Sequence, residues 1–303
     1  MSNLGINLCG IDFVNPVLTA SGTFGYGQEF ADFVDYRRLG GIVVKSVSLE
    51  PRVGNVPPRL FETSCGLLNS IGLQNVGLDE FLREKLPALR QYPTKVIVNI
   101  AGRTIDEYVE VAERLSATAG IDALELNLSC PNVKEGDIVF GQSSAAVEKV
   151  VGAVRKKTQL PVWVKLSPNV ADIAPLAQAA EASGADAICA INTLQGIAID
   201  VKTRRPFLGN TIGGLSGPAI KPVALFHVWE IYQVVSIPVI GIGGICTAQD
   251  AIEFVLAGAS AVQVGSANFR DPDVTMRIVD GLEHYMEEAE VDHIWDLRGA
   301  AWR

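Results

Sequence analysis

Eight short apolar runs punctuate the chain: Pro16–Ala20, Gly41–Ser46, Lys95–Gly102, Ala123–Cys130, Pro161–Ser167, Ala187–Thr193, Pro238–Gly244 and Ala261–Ala267. Most are unbroken Val/Ile/Leu/Ala stretches without the alternation of a half-exposed strand. That is the pattern of parallel strands covered on both faces. Helical periodicity fills the intervals. Thr104-Ile-Asp-Glu107 reads as a capping box, in which Thr takes an orphan N–H and Glu reaches back. Tyr108, Val111, Ala112 and Leu115 follow at helical spacing. Thr247-Ala-Gln-Asp250 opens another helix, with Ile252, Val255 and Leu256 on one face. A weak repeat, Ala119-Gly-Ile-Asp-Ala123, Ser183-Gly-Ala-Asp-Ala187 and Ala257-Gly-Ala-Ser-Ala261, sits between a helix and the next strand each time. Its Gly suits the left-handed end of a helix.

Eight strands alternating with helices predict an α/β fold, a single (β/α)8 TIM barrel. The 303 residues form one domain, 1–303, close to the usual size of about 250 plus insertions. An open doubly wound sheet is the competing arrangement, but the first βα turn lacks Gly-x-Gly-x-x-Gly. The alternating Leu4–Val14 stretch, broken by Gly10, predicts an N-terminal hairpin closing the barrel bottom. Three long connections, Val47–Gly77, Pro131–Ser143 and Leu194–Gly217, follow the second, fourth and sixth strands. They predict long loops at the C-terminal face, where such barrels do their chemistry.

Composition narrows the function. With 48% hydrophobic and 19% charged residues the chain is not disordered. Its net charge of −9 argues against nucleic acid as a partner. The five cysteines are odd in number and scattered, which points to a reducing, cytoplasmic setting. No basic and apolar leader is visible, and Asp172, Gln178, Glu181 and Asp186 interrupt the longest Ala-rich stretch, so no membrane span is expected.

Polar residues gather at the predicted strand ends: Ser21, Lys45, Ser46, Asn99, Asn127, Ser129, Cys130, Lys165, Asn192 and Thr193. Any one of them fits a satisfied structural group. Three Asn and two Lys from five strands fit a polar ligand better, because a buried amide or ammonium is costly unless paired. Amides donate and accept at once, so they match a ring edge with alternating N–H and C=O, such as a pyrimidine or the pyrimidine half of a flavin. Gly243-Gly244 and Gly265-Ser266 end strands seven and eight, the usual barrel phosphate site, though tight turns alone would also use glycine. Cys130 begins a long loop and is a better base near neutrality than a Ser hydroxyl. Cys189 and Cys246 read as inert packing. His227, His284 and His293 lie away from strand ends, and no metal-ligand spacing occurs. Lys202-Thr-Arg-Arg205 reads as a solvated loop tip, Glu287, Glu288 and Glu290 as a solvated tail, and Trp295 and Trp302 as packing or subunit contact.

These segments carry a resemblance. Thr19-Ala-Ser-Gly-Thr-Phe-Gly25, Gly41-Ile-Val-Val-Lys-Ser46, Asn69-Ser-Ile-Gly-Leu-Gln-Asn75, Asn127-Leu-Ser-Cys-Pro-Asn132, Val164-Lys-Leu-Ser-Pro168, Ile191-Asn-Thr193, Gly213-Gly-Leu-Ser-Gly217, Gly241-Ile-Gly-Gly244 and Gly265-Ser266 resemble class 1 dihydroorotate dehydrogenases, most closely the NAD-linked B subtype. The resemblance implies one FMN over the barrel mouth. Its phosphate would lie on Gly243, Gly244, Gly265 and Ser266, with Ser21, Lys45, Ser46, Asn99, Asn127, Lys165, Ile191 and Gly217 lining the rest. Dihydroorotate would be held by Lys45, Asn69, Ser70, Ile71, Gly72, Leu73, Asn127, Asn192 and Thr193, with Cys130 as catalytic base. It implies a homodimer core within a heterotetramer, whose second subunit carries FAD and a [2Fe-2S] cluster toward NAD. The fumarate-linked A subtype shares the Cys, and dihydropyrimidine dehydrogenase-like reductases share Asn-Leu-Ser-Cys-Pro. A phosphosugar lyase or isomerase with Lys165 as Schiff-base amine would use the same phosphate site. A non-catalytic binding barrel would leave the polar strand ends unexplained.

Overall fold

The computed structural model describes residues 3–128, 134–135, 138–139 and 141–302. Eight parallel strands close a barrel in chain order: β1 Val17–Thr19, β2 Gly41–Val43, β3 Lys95–Ile100, β4 Ala123–Asn127, β5 Val162–Lys165, β6 Ala187–Ala190, β7 Val239–Ile242 and β8 Ala259–Val264. Closure is made by β8 on β1, with Val262 opposite Val17 and Val264 opposite Thr19. Each predicted run is a strand. The last begins two residues early, at Ala259, because the chain enters the sheet directly after Gly258.

Apolar strands bury on both faces because the hairpin below and the helices outside exclude water from them. Ile6–Leu8 pairs antiparallel with Ile11–Phe13, and Leu8 and Phe13 are buried. Phe13 packs 6.3 Å from the Trp163 ring of β5. The Cys9 thiol of the turn donates to Asp186 O at 3.2 Å, just ahead of β6, which plugs the barrel bottom. Burial, and then the Asp186 charge, push that thiol up to about 12.

The helix Ile105–Ser116 starts at Thr104, whose side chain accepts the Glu107 N–H at 3.2 Å. The predicted box is incomplete there. Glu107 takes the Arg103 N–H at 2.6 Å, one residue before the cap, where its carboxylate also faces Arg52 at 3.9 Å. The helix Ala248–Ala257 has the full box between Thr247 and Asp250. All three repeat glycines, Gly120, Gly184 and Gly258, have positive φ.

Two expectations need correction. First, the interval between β1 and β2 holds a 3-10 turn, Gln28–Phe30, in place of a crossover α-helix. Aromatic packing covers the wall instead: Phe24 stacks on Phe30 at 4.1 Å and meets Tyr36 edge-on at 6.3 Å. Second, the long connections after β2 and β6 are not plain loops. They supply Leu60–Thr63, Gly66–Asn69, Leu194–Ile197 and Ile212–Ser216, which pair into one antiparallel sheet above the barrel. Residues far apart in sequence form it (Gly214 pairs with Asn69), so local periodicity does not reveal it. Its own small core is Leu68, Ala198 and Leu208, with Phe61 and Leu215 against them.

The C-terminus packs as expected. Trp302 stacks on Trp229 at 3.6 Å, and the Arg298 guanidinium lies over the Trp295 and Tyr232 rings at 5.1 and 5.4 Å. Residues 201–204 and Glu287, Glu288 and Glu290 are exposed. Among the described residues no helix is long and apolar enough to cross a membrane.

Gly258 has φ +123, and a Cβ there would meet the Tyr232 ring at 2.2 Å, whereas Gly152 inside the helix Ser144–Arg155 has open space around it. Gly258→Ala is therefore expected to lower stability by about 1–3 kcal/mol. Gly152→Ala is expected to raise it by roughly 0.5–1 kcal/mol. Urea unfolding of the two variants beside the parent chain checks both signs.

Candidate active site

At the C-terminal ends of the strands lies a cavity of about 690 Å³, roofed on one side by the antiparallel sheet. That volume is in the range of small-molecule and cofactor sites. One end is formed by the turns after β7 and β8. Gly243, Gly244, Gly265 and Ser266 line it, and their backbone N–H groups donate to no acceptor among the described residues. A Cβ built on Gly265 would touch only Ala20, at 3.6 Å, so a side chain here would fill the cradle. Gly244 has φ +75, and a Cβ would come within 2.7 Å of the Lys221 backbone N. Asn268 steadies the second turn by donating to Val264 O and Gly265 O, both at 2.9 Å. Four free donors beside one another could hold an anion.

The turn after β7 is locked from outside. Asp250 accepts the Cys246 and Thr247 N–H groups, both at 2.9 Å, and takes Lys221 Nζ at 2.7 Å. Burial works against its charge, but the bond from Lys221 and those N–H groups hold the Asp250 carboxyl below the usual carboxylate range. Asp250 and Glu253, the latter at 2.9 Å, hold the Lys221 ammonium above its ordinary value.

The floor is polar. Lys165, on β5, is buried and donates to Ser21 Oγ at 3.3 Å. Ser46 donates to Asn99 Oδ1, and Asn99 donates to Glu125 at 2.6 Å. Lys45 stands nearby on the cavity wall. Burial lowers its ammonium from the ordinary value; Glu29 opposes this and Arg59 adds to it.

The far end is amide-rich. Asn192 donates to Asn127 Oδ1 at 3.3 Å and accepts the Thr193 N–H at 2.7 Å. Tyr108 OH holds Asn127 O at 2.7 Å. The Asn69–Leu73 segment leaves the sheet here: Asn69 donates to Gly214 O at 3.2 Å, and Asn55 donates to Ser70 Oγ at 3.0 Å. Arg59 braces it by donating to Gln74 Oε1 at 2.6 Å.

The cavity brings together Ser21, Lys45, Ser46, Asn69, Ser70, Ile71, Gly72, Leu73, Asn127, Lys165, Ile191, Asn192, Thr193, Gly217, Gly243, Gly244, Gly265 and Ser266. Asn99 is not on its surface; it is fully buried beneath Ser46 as a support. Ser129 and Cys130 lie outside the described residues. Cys189 is buried core, with its thiol raised by burial. Cys246 differs from its expected packing role: it lines the cavity edge, and burial followed by Asp250 raises its thiol.

Sequence reasoning missed Ser167, Asn169 and Gln195. Asn169 donates to Thr193 O at 3.0 Å and accepts the Gln195 N–H at 2.8 Å. Ser167 and Asn169 follow Lys165 off the same strand, so the strand-end rule applied two and four residues further reaches them. It also missed Glu125 and Gln263, whose signal is a polar side chain inside an otherwise apolar strand.

The fold and site define a (β/α)8 barrel with an anion cradle at one end of its mouth and a lysine- and amide-lined chamber at the other. Residues 3–286 match the family described as Dihydroorotate dehydrogenase, and the chain belongs to that family. Relatives named "Dihydroorotate dehydrogenase B (NAD(+)), catalytic subunit" are 55% identical in Geotalea uraniireducens (strain Rf4), over 98% of both chains. The one from Desulforamulus reducens (strain ATCC BAA-1160 / DSM 100696 / MI-1) is also 55% identical, over 99% of this chain and 98% of its own. A solved DHODH from Eimeria tenella, in complex with ferulenol, has the same fold: TM-score 0.83 at 24% identity, covering 99% of this chain and 89% of that one.

The Asp250 pairing carries a pH signature. A depressed carboxyl contributes stability above the unfolded value, about 3.9, and loses it as pH falls through the lower folded value. Asp250→Asn is expected to cost about 1–2 kcal/mol near neutrality. The gap to the parent should hold down to about pH 5 and close in stronger acid. A urea-unfolding series across pH measures it; a gap that widens on acidification would reverse the assignment.

Proposed function

We propose that this chain is the catalytic subunit of an NAD-linked dihydroorotate dehydrogenase. It oxidises (S)-dihydroorotate to orotate in pyrimidine (UMP) biosynthesis, with one FMN per chain. A partner subunit bearing FAD and a [2Fe-2S] cluster carries the electrons on to NAD. The observation that carries this reading is one cavity with four unpartnered N–H donors at one end and Lys45, Asn127 and Asn192 at the other. It stands in a chain 55% identical to relatives named as that catalytic subunit.

The residues fit FMN. The free N–H groups of Gly243, Gly244, Gly265 and Ser266 suit a phosphate. Lys165 and the Ser21 and Ser46 hydroxyls suit the pyrimidine edge of a flavin. When bound, FMN supplies the two-electron acceptor for the hydride that leaves C6 of the substrate. Lys165 offsets negative charge at the ring edge. Lys45 pairs with the substrate carboxylate. Asn69, Asn127, Asn192 and Thr193 offer donors and acceptors to the substrate ring, and Ser70 to Leu73 line the same chamber. Cys130, as thiolate, takes the proton from C5 as the ring double bond forms.

The assembly follows in the same terms. Val53, Val56, Ile199 and Val201 are all exposed on the connections beside the antiparallel sheet. An apolar face of this kind fits a second copy of the chain. The homodimer is the core of a heterotetramer with the partner subunit, in the cytoplasm.

The purified chain is expected to be yellow and to bleach when dihydroorotate is added under anaerobic conditions, whereas a phosphosugar aldolase would be colourless. Efficient NAD reduction should need the partner subunit. Cys130→Ser should keep the flavin but slow its reduction at neutral pH by roughly 10²-fold or more, read by stopped-flow absorbance. A fully active Ser variant would remove Cys130 from the role.

A further inference from the structure

Below the cavity floor stands a carboxylate that the proposed reaction does not use. Glu125 is fully buried on β4. One oxygen accepts from Asn99 Nδ2 of β3 and the other from Gln263 Nε2 of β8, both at 2.6 Å. In the closed order β4 and β8 lie across the barrel from each other, so this one side chain ties opposite walls. Lys165 of β5 brings its Nζ to 3.9 Å from the same carboxylate. Both side chains are almost wholly removed from solvent, at 5% and 0% exposure.

Stability alone does not ask for this arrangement. Barrel interiors are filled by branched apolar side chains, and replacing a buried ion pair with well-packed apolar groups is often neutral or stabilising. The ion pair also has a direction. Lys165 faces down toward Glu125 and up toward Ser21 at the cavity surface. Asn99 extends the same network to Ser46.

We propose that Glu125 is a positioning residue for Lys165: it fixes the ammonium beneath the cavity floor and cancels part of its charge, and so sets how strongly the site favours added negative charge on a bound flavin. The proposal rests on the flavin reading above. In a dry interior the two charges are weakly screened, so the net field at the floor is that of the pair, not of Lys165 alone. An unopposed Lys165 would hold electrons on the ring and hinder their onward transfer.

The test is the FMN midpoint potential of the loaded protein, by spectroelectrochemical titration. Glu125→Gln is expected to raise it by about 30 mV or more, a tenfold shift for a two-electron couple. Glu125→Asp, which keeps the charge, should stay near the parent value. No shift in Glu125→Gln, or equal shifts for Gln and Asp, would each overturn the proposal. Where Glu125→Gln does not hold flavin, thermal unfolding decides. Lys165→Met strands the Glu125 charge, so adding Glu125→Gln should raise the Tm of that variant, and a further fall would overturn the pairing. If the parent chain binds no flavin, or its flavin is not bleached by dihydroorotate, the functional reading fails instead, and the unfolding comparison still tests the pairing.

Discussion

A carboxylate placed where water does not reach must find its donors in the protein. In this barrel Glu125 finds them on three other strands, as Asn99, Gln263 and Lys165. The consequence is geometric. The floor of the cavity is set by a network that cannot shift one member without stranding another, because the surrounding Val, Ile and Leu side chains offer no replacement partners. Ser46 and Ser21, which meet the cavity, are the outer ends of that network. The site is thus built on strands, and its floor inherits their rigidity.

The roof has a different origin. Its strands come from the connections after β2 and β6, pair antiparallel, and pack over a core of only a few side chains. Asn69, Thr193 and Gln195 hang from it or beside it, held mainly by single bonds to backbone groups or amides. Fewer buried contacts mean a lower local cost of opening. A stiff floor for a resident ring and a looser roof for a molecule that must enter and leave is a sensible division.

The barrel was legible because parallel strands covered on both faces must be largely apolar, and most of the eight runs met that condition. The rim was legible for the converse reason: Lys45, Asn127, Lys165 and Asn192 interrupt apolar strands at the same end, where a lone polar group would be costly. What stayed hidden depends on contacts distant in sequence. The pairing of Gly214 with Asn69 joins residues 145 positions apart and leaves no periodic mark. Asn99 shares the strand-end position of the rim residues, yet its side chain is recruited downward by Glu125, a partner that the strand pattern does not identify. The missing first crossover helix was hidden because Phe24, Tyr26 and Tyr36 are as apolar as a helix face would be. Cys130 lies outside the described residues, so the expectation for it rests on the Asn-Leu-Ser-Cys-Pro segment alone.

The cysteines bear on where electrons go after the substrate is oxidised. An iron–sulfur cluster is held by thiolates that converge, four for the common types. Cys9 is at the barrel bottom with its thiol near 12, Cys189 is in the core, Cys246 is at the cavity edge, and burial raises all three thiols. Cys65 is exposed on the turn between Leu60–Thr63 and Gly66–Asn69. Three of these four sit in surroundings that oppose the thiolate form. Among the described residues no group of three or more His, Cys, Asp or Glu side chains could hold a metal ion. Under the proposed function, the field set by Lys165 and Glu125 acts on the step that hands electrons to the partner subunit.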